Sequence, residues 1–314
     1  MCIVRRDRGR QPGPRATRAV ILAAIATVVG GGSVAAVEVR SLGEARKAAT
    51  TVEGSRAFSE QIMGTAVPDR FGTTLPDGLA AGDVERLLRP AGDTLPLNTL
   101  GVRSLAGFAD TYAALLCTGG DVPRNADATR CEKETGGAPP RVHLGILKAR
   151  PGEAPHLIAG PIEMDAAIVW RGAGLDSAPD DVDDAPAGAS IRPARILGFD
   201  PAAYALAPGV PAFGVRGGWT YGYSGGFSSY EALYLFTLVE GRLRRVFAAP
   251  MSAFRMTAGA WNRDGTREHE VGESANLLLV LAARTRGHAD LLLKSRQGKW
   301  RRTFRWCDAG PGYC

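Results

Sequence analysis

"SYEALYLFTLVEGRLRRVFAAP", Ser229–Pro250, decides the fold class. Tyr230, Ala232, Tyr234, Phe236 and Leu238 alternate with Glu231, Leu233, Leu235, Thr237 and Val239, the period of two that sends successive side chains to opposite faces of a strand. Aromatic residues favour that state. Glu240-Gly241 then supplies a two-residue turn, and a second apolar run begins at Leu243. Moving outward, "GVPAFGVRGGW" (209–219) is a strand candidate on one side. On the other, "ANLLLVLAARTRGHADLLLKSRQGKWRRTFRW" (275–306) holds three more, turning near Arg286-Gly287 and Gln297-Gly298. Short apolar runs separated by X-Gly turns predict an antiparallel meander. The expected fold is mainly β (α+β): an antiparallel β-sandwich or open barrel over residues 101–314, behind a short helical arm.

Upstream, "RVHLGILKAR" (141–150) and "PHLIAGPIE" (155–163) predict a hairpin around "PGEA", and "DAAIVWRG" (165–172) a further short strand. In "SLAGFADTYAALLC" (104–117), Leu105, Phe108, Tyr112 and Leu115 fall at i, i+3, i+7 and i+10 behind Ser104, which predicts an amphipathic helix. Residues 37–100 are weakly patterned and are read as an arm or linker. Residues 42–66 suggest a helix interrupted by Gly54, and 82–90 a short helix with Asp83 at its cap and Pro90 past its end.

Four features invite chemistry. "GYSGG" (222–226) fits the G-x-S-x-G of a nucleophile elbow and raises Ser224 as a hydrolase nucleophile. An elbow needs a strand before it and a helix directly after, whereas the residues after Gly226 read as strand, so Ser224 is expected in a loop. "AWNRDGTREHE" (260–270) offers Asn262, Asp264 and Glu268 as oxygen donors for calcium. Arg263 and Arg267 oppose a highly charged site, and an Asn-x-Asp-Gly turn needs no metal. The aspartates of "LDSAPDDVDDAPAG" (175–188) lack the order of a calcium loop and read as a solvated acidic loop. In "KWRRTFRW" (299–306), Trp300, Arg302, Phe304 and Trp306 share one face of a strand, and Lys299, Arg301, Thr303 and Arg305 the other. The plain reading is a core face backed by a charged one; the sharper is a surface, with Trp300, Arg301 and Arg305, for an anionic glycan, lipid headgroup or acidic protein. The histidines His143, His156, His269 and His288 are scattered. No metal or other cofactor is expected.

The first 36 residues bear on the compartment. A basic stretch precedes the uncharged apolar run "AVILAAIATVVGGGSVAA" (19–36), the order of a secretory signal peptide. The alternative is an uncleaved membrane anchor through residues 19–36, against which Gly30–Gly32 count by low helix propensity. Beyond it stand Cys117, Cys131, Cys307 and Cys314, an even number that suits an oxidising compartment. Three pairings are open; Cys117–Cys131 and Cys307–Cys314 are favoured because each brackets a turn-rich loop. The formal charge is +6, but six arginines and one aspartate of the leader account for five of those charges. The remainder is nearly neutral, which removes the compositional case for nucleic acid.

"WNRDGTREHEV" (261–271), "GHADLLLKS" (287–295) and "FRWCDAGPGYC" (304–314) together resemble the ending of exported bacterial β-rich proteins, some of them similar to FG-GAP-type repeats. About 60 residues are covered and no further copy follows, whereas propeller blades must repeat to close. The resemblance implies an exported β-rich protein and supplies no activity. Arginine and alanine abundance points to a bacterial source, hence periplasm or extracellular space. The expected function is non-catalytic recognition of an envelope component, glycan or partner protein, with a Ser224 hydrolase and a calcium-dependent binder as alternatives.

Overall fold

The computed structural model describes residues 36–64, 70–120, 131–132, 139–183, 186, 188–307, 310 and 312–314. The leader, and the loop inside the first cysteine pair, lie outside them. In chain order the elements are β1 (Val37–Val39), α1 (Leu42–Ala48), α2 (Val52–Gln61), α3 (Ala81–Leu88), β2 (Leu97–Ser104), β3 (Thr111–Thr118), β4 (Cys131–Glu132), β5 (Arg141–Lys148) and β6 (His156–Glu163). There follow β7 (Ile168–Val169), α4 (Asp180–Asp183), β8 (Ser190–Ile191), β9 (Arg195–Phe199), β10 (Ala212–Tyr223), β11 (Gly226–Val239), β12 (Arg242–Trp261), β13 (Arg267–Thr285), β14 (His288–Ser295) and β15 (Arg301–Phe304).

The fold is mainly β and sandwich-like. A large sheet runs β15-β14-β13-β12-β11-β10-β9-β4, with β1 added to β13; a smaller one runs β2-β3-β5-β6, and β7 pairs with β8. The meander read from the sequence is the spine of the large sheet. Its turns form where X-Gly predicted them: Val239 pairs with Arg242 around Glu240-Gly241, and Thr285 with His288 around Arg286-Gly287. In both turns the two central residues have positive φ, the backbone that matches the twist of the flanking strands.

Alternation along β11 sorts its side chains between two cores. Tyr230, Ala232, Tyr234 and Phe236 face the small sheet, packed with Trp219, Val215, Leu115, Leu144 and Ile146. Trp170 sits edge-on to Trp219 and Tyr230, with ring centroids 5.3 and 5.7 Å away. On the other face Leu233 and Leu235 meet Phe247, Met251, Leu291 and Leu293, because β13 leaves β12 after Ala275 and carries β14 and β15 with it. The helices α1 and α2 cover the rest of that face through Ala45, Ala57 and Phe58 against Phe227, Phe254 and Met256. Full burial of one such side chain is worth about 1.5–3 kcal/mol.

Two local expectations are corrected. Residues 104–117 form no helix. Gly107 and Asp110 take positive φ in a turn, and β3 follows. Its Leu115 and Cys117 enter the inter-sheet core while Ala114 and Leu116 pack under α3 with Val84 and Leu88. A strand covered on both faces reads as a continuous apolar run, in which helical spacing is satisfied by accident. Nor does Gly54 interrupt a helix. The break is at Ala49–Thr51, and Gly54 lies in the first turn of α2, where the N-cap Thr51 accepts from its N–H. A Cβ at Gly54 would run into the Glu273 carboxylate. That carboxylate accepts from Thr50 N–H at 2.8 Å and Thr51 N–H at 2.6 Å, tying the start of α2 to β13. In α3 the N-cap is Ala80, and Asp83 sits in the first turn.

Cys117 is joined to Cys131 and Cys307 to Cys314, with Cα atoms 6.0 and 5.7 Å apart. The first bridge links β3 of the small sheet to β4 of the large one, with both cysteines fully buried. The second holds the chain end against β12, where Tyr313 N–H donates to Val246 O at 2.9 Å. Among the described residues no helix is long and apolar enough to cross a membrane. The double variant Cys117→Ala/Cys131→Ala is expected to lose about 3 kcal/mol in denaturant unfolding, the loop-closure contribution of a bridge of this span. A loss below about 1 kcal/mol would mean that the inter-sheet packing alone sets the docking of the sheets.

Candidate functional site

Glu231 lies mid-way along β11, on the face that meets α2, and is almost completely buried. Its carboxylate is paired with Arg56 of α2 and lies 3.7 Å from Arg216 of β10. Arg216 Nε in turn donates to Asp200 at 2.5 Å. Asp200 also accepts from Tyr204 OH at 2.8 Å and Ala202 N–H at 2.9 Å. Nearby, Arg195 of β9 donates to Glu60 of α2 at 3.1 Å and stands 4.0 Å from Glu132. Burial tends to raise the Asp200 carboxyl, but the Arg216 guanidinium and the hydrogen bonds from Ala202 N–H and Tyr204 OH together outweigh it and leave the group below its usual range. Tyr204 is pushed up by burial and by Asp200. Arg56 is brought down to about 9 by burial and then by the charge of Arg70.

Arg70 is the member of this group that is left over. Burial lowers its affinity for its proton, as does neighbouring Arg216, against a weaker opposing pull from Asp200, Glu53 and Glu60; among the described residues its side chain has no ion-pair or hydrogen-bond partner. Its backbone, by contrast, is held on both sides. Phe199 N–H of β9 donates to Arg70 O at 2.9 Å, and Val102 N–H of β2 to Gly72 O at 3.0 Å. Residues 70–72 thus bridge the two sheets, with Phe71 in the main core. The approach is close enough that a Cβ on Gly72 would strike Val102 O, one on Gly101 would strike Phe71 O, and one on Gly198 would come within 2.6 Å of the Arg70 carbonyl. Beside this clamp opens a crevice of about 210 Å³ lined by Arg70, Gly72, Val102, Arg103, Phe199 and Pro201. Arg103 is steadied by donating to Pro201 O at 2.6 Å. Among the described residues the lining carries two guanidinium groups and apolar walls, and no hydroxyl, thiol, imidazole or carboxylate. Such a site can hold an anion.

The residues singled out from the sequence fall elsewhere. Ser224 is in the two-residue turn between β10 and β11, bounded by the Tyr223–Gly226 pair, and a 14-residue strand leaves it where an elbow has a helix. No side-chain hydrogen bond joins it to a histidine or carboxylate among the described residues. Asn262 and Asp264 form the tip of the β12–β13 hairpin and are satisfied within it. Asn262 Nδ2 donates to Thr266 Oγ1 at 2.9 Å, and Asp264 accepts from the Thr266 N–H and hydroxyl at 3.0 and 2.7 Å. Glu268 is half-buried on β13, beside Gly259. Among the described residues no group of three or more His, Cys, Asp or Glu could hold a metal ion. Of the acidic loop, Asp180 accepts from Tyr223 OH at 3.3 Å, while Asp184 lies outside the described residues.

The strand β15 separates its residues as alternation predicts. Trp300 enters a second crevice of about 270 Å³ with Val169, Arg171, Leu293, Arg302 and Phe304. Arg301 and Arg305 are exposed away from it, Arg305 3.8 Å from Asp290. The histidines stay apart: His288 stacks on Trp306 at 3.5 Å, and His143 is buried 3.3 Å from Asp93. Asp93 accepts from Leu95 N–H and Thr118 OH, both at 3.0 Å. Arg70 and Arg103 were missed by the sequence reading because they sit in a turn-rich stretch and a strand without a motif. Gly72 and Gly101 are isolated in sequence, and their close backbone approach is visible only in the fold. No family model, curated protein or solved structure matches this chain.

Two predictions follow from these charges. Glu231→Leu leaves Arg56 buried without its ion-pair partner, while Arg216 keeps Asp200, and is expected to cost about 3–5 kcal/mol. Arg70→Gln removes a charge that has no partner and is expected to be neutral or stabilising in the same denaturant assay; a loss as large as that of Glu231→Leu would show a hidden structural partner. Separately, burial holds the His143 imidazole below its ordinary value of 6.5, so the unfolded chain takes up that proton first as pH falls. The stability contribution is complete above the unfolded value and is lost progressively below it. The melting temperature of His143→Gln should therefore fall less than that of the parent between about pH 7 and about pH 5; an equal or steeper fall would contradict this.

Proposed function

We propose that this chain is an exported bacterial binding protein that holds an oxyanion group, carboxylate or phosphate, of an envelope component against Arg70 and Arg103. The observation that carries the reading is Arg70: its backbone is held between two sheets, Arg216 repels it, and Asp200, Glu53 and Glu60 attract it without any described carboxylate making an ion pair with it. A partly buried charge in that position is unfavourable until an anion completes the set. A crevice of about 210 Å³ is smaller than the roughly 300–1,000 Å³ that encloses a drug-sized ligand. It suits one acidic group of a larger molecule lying over the surface. Guanidinium forks favour planar or tetrahedral oxyanions over halide.

Export is supported by the leader pattern and by two disulfides. With the leader set aside the chain is nearly neutral, and outside the cytoplasm nucleic acid is not an ordinary partner. Recognition is preferred to catalysis because the crevice lining supplies charge and shape without a reacting group.

The test is a titration of the purified protein with sodium phosphate, sulfate and acetate at constant ionic strength, with chloride as reference. At least one oxyanion should give a saturable rise in melting temperature. Arg70→Gln and Arg103→Gln should each weaken it tenfold or more, about 1.4 kcal/mol, while Arg242→Gln on β12 leaves it unchanged. Identical behaviour in all four salts would remove the reading. A fluorophosphonate label that disappears in Ser224→Ala would replace it with hydrolysis.

A further inference from the structure

Beyond the leader, a near-neutral sum of charges conceals a strong separation. Residues 37–273 hold 24 arginines and lysines against 29 aspartates and glutamates, whereas residues 274–307 hold eight against Asp290 alone. That second stretch is the part of the fold that peels away from β12: the end of β13, then β14 and β15. Pairing fixes which of its side chains share a face. Leu279 lies opposite Leu292, and Leu292 opposite Thr303; Leu277 lies opposite Lys294, and Lys294 opposite Arg301. The alternate residues Leu278, Leu291, Leu293 and Phe304 belong to the core beneath. The first set therefore forms the outward face of the three strands.

That face joins two properties that oppose each other on an ordinary solvated surface. Leu277 and Leu279 are each 40% exposed, and Leu292 is partly so. On the same face stand Lys294, Arg301 and Arg305, the last 3.8 Å from Asp290, a carboxylate that is itself almost wholly buried. Edge strands are usually guarded by charges placed among the apolar side chains; here the cations border the leucines instead. Aliphatic side chains framed by lysine and arginine match the boundary of an anionic bilayer, where the leucines enter the acyl margin and the cations meet headgroup phosphates. A soluble acidic polymer would satisfy the cations and leave the leucines in water, so the bilayer fits both properties.

We propose that the outward face of β13, β14 and β15, carrying Leu277, Leu279, Leu292, Lys294 and Arg301, docks on an anionic lipid surface. This docking is independent of the Arg70 crevice, which is lined from β2, β9 and residues 70–72.

The experiment is flotation of the protein, as recovered from its export host, with vesicles of phosphatidylcholine alone or of phosphatidylcholine and phosphatidylglycerol in a three-to-one ratio. The vesicle-bound fraction should be at least about tenfold higher with phosphatidylglycerol and should fall as salt rises from about 0.1 to 0.5 M. Lys294→Glu/Arg301→Glu and, separately, Leu277→Ser/Leu279→Ser should each lower it about tenfold or more. All four positions are on the outward face, so both variants should keep the parent's melting temperature and its oxyanion response. The salt dependence of the parent reads the electrostatic half without any substitution. Equal binding to both vesicle types, or binding indifferent to both double variants, overturns the proposal. So does binding of soluble polyglutamate that matches the vesicles and ignores the leucine variant, which would assign the face to an acidic polymer.

Discussion

A carboxylate in the middle of a strand covered on both sides constrains everything near it. Glu231 cannot reach water, so β11 can occupy the centre of the large sheet only if cations come to it. Arg56 arrives from α2 and Arg216 from the neighbouring β10. Arg216 is shared with Asp200, which is seated at the end of β9 by its own N–H donating to Gly214 O at 2.8 Å. A set of this kind adds little net stability over an apolar replacement, since desolvation offsets most of the attraction. What it adds here is selectivity of docking: α2 has one position in which Arg56 meets Glu231 and Arg195 meets Glu60. The Glu273 carboxylate at the start of α2 enforces the same position from β13.

The spine of the fold was legible because β11 and its neighbours combine alternation with X-Gly turns, and both are local properties. The cysteine pairings were favoured by the short loops they close. Residues 104–117 were misread for a complementary reason: burial of β3 between α3 and the large sheet erases alternation, and the remaining apolar spacing fits a helix as well as a strand. Gly54 was misread because its lack of a side chain serves a carboxylate more than 200 residues away in sequence. In "KWRRTFRW" alternation correctly grouped Trp300 with Arg302 and apart from Arg301 and Arg305, yet it could not show that Val169 and Arg171 would complete a crevice around them.

Arg70 was illegible for a deeper reason, because what distinguishes it is the lack of a partner. No local pattern encodes that lack. It emerges only when α2, β9 and β10 have been assembled and Arg56, Arg195 and Arg216 have taken Glu231, Glu60 and Asp200. Composition is equally silent about the basic end of the chain. A sum near neutrality is compatible with charges mixed evenly or separated by sheet, and only strand pairing shows that Lys294 and Arg301 share a face with the leucines.

The glycines around Arg70 connect the fold to the site. Gly72, Gly101 and Gly198 allow three backbones to approach more closely than side chains would permit, so residues 70–72 are locked by hydrogen bonds to both β2 and β9 before any ligand arrives. A flexible arginine would lose its freedom on binding an anion, and that loss would subtract from affinity. Here the backbone part of that ordering is already done by folding, while the Arg70 side chain keeps its own torsional freedom. Arg216 repels Arg70, while Asp200, Glu53 and Glu60 attract it without forming an ion pair. The backbone clamp thus sets where the Arg70 side chain starts, at the mouth of an apolar-walled crevice that it shares with Arg103.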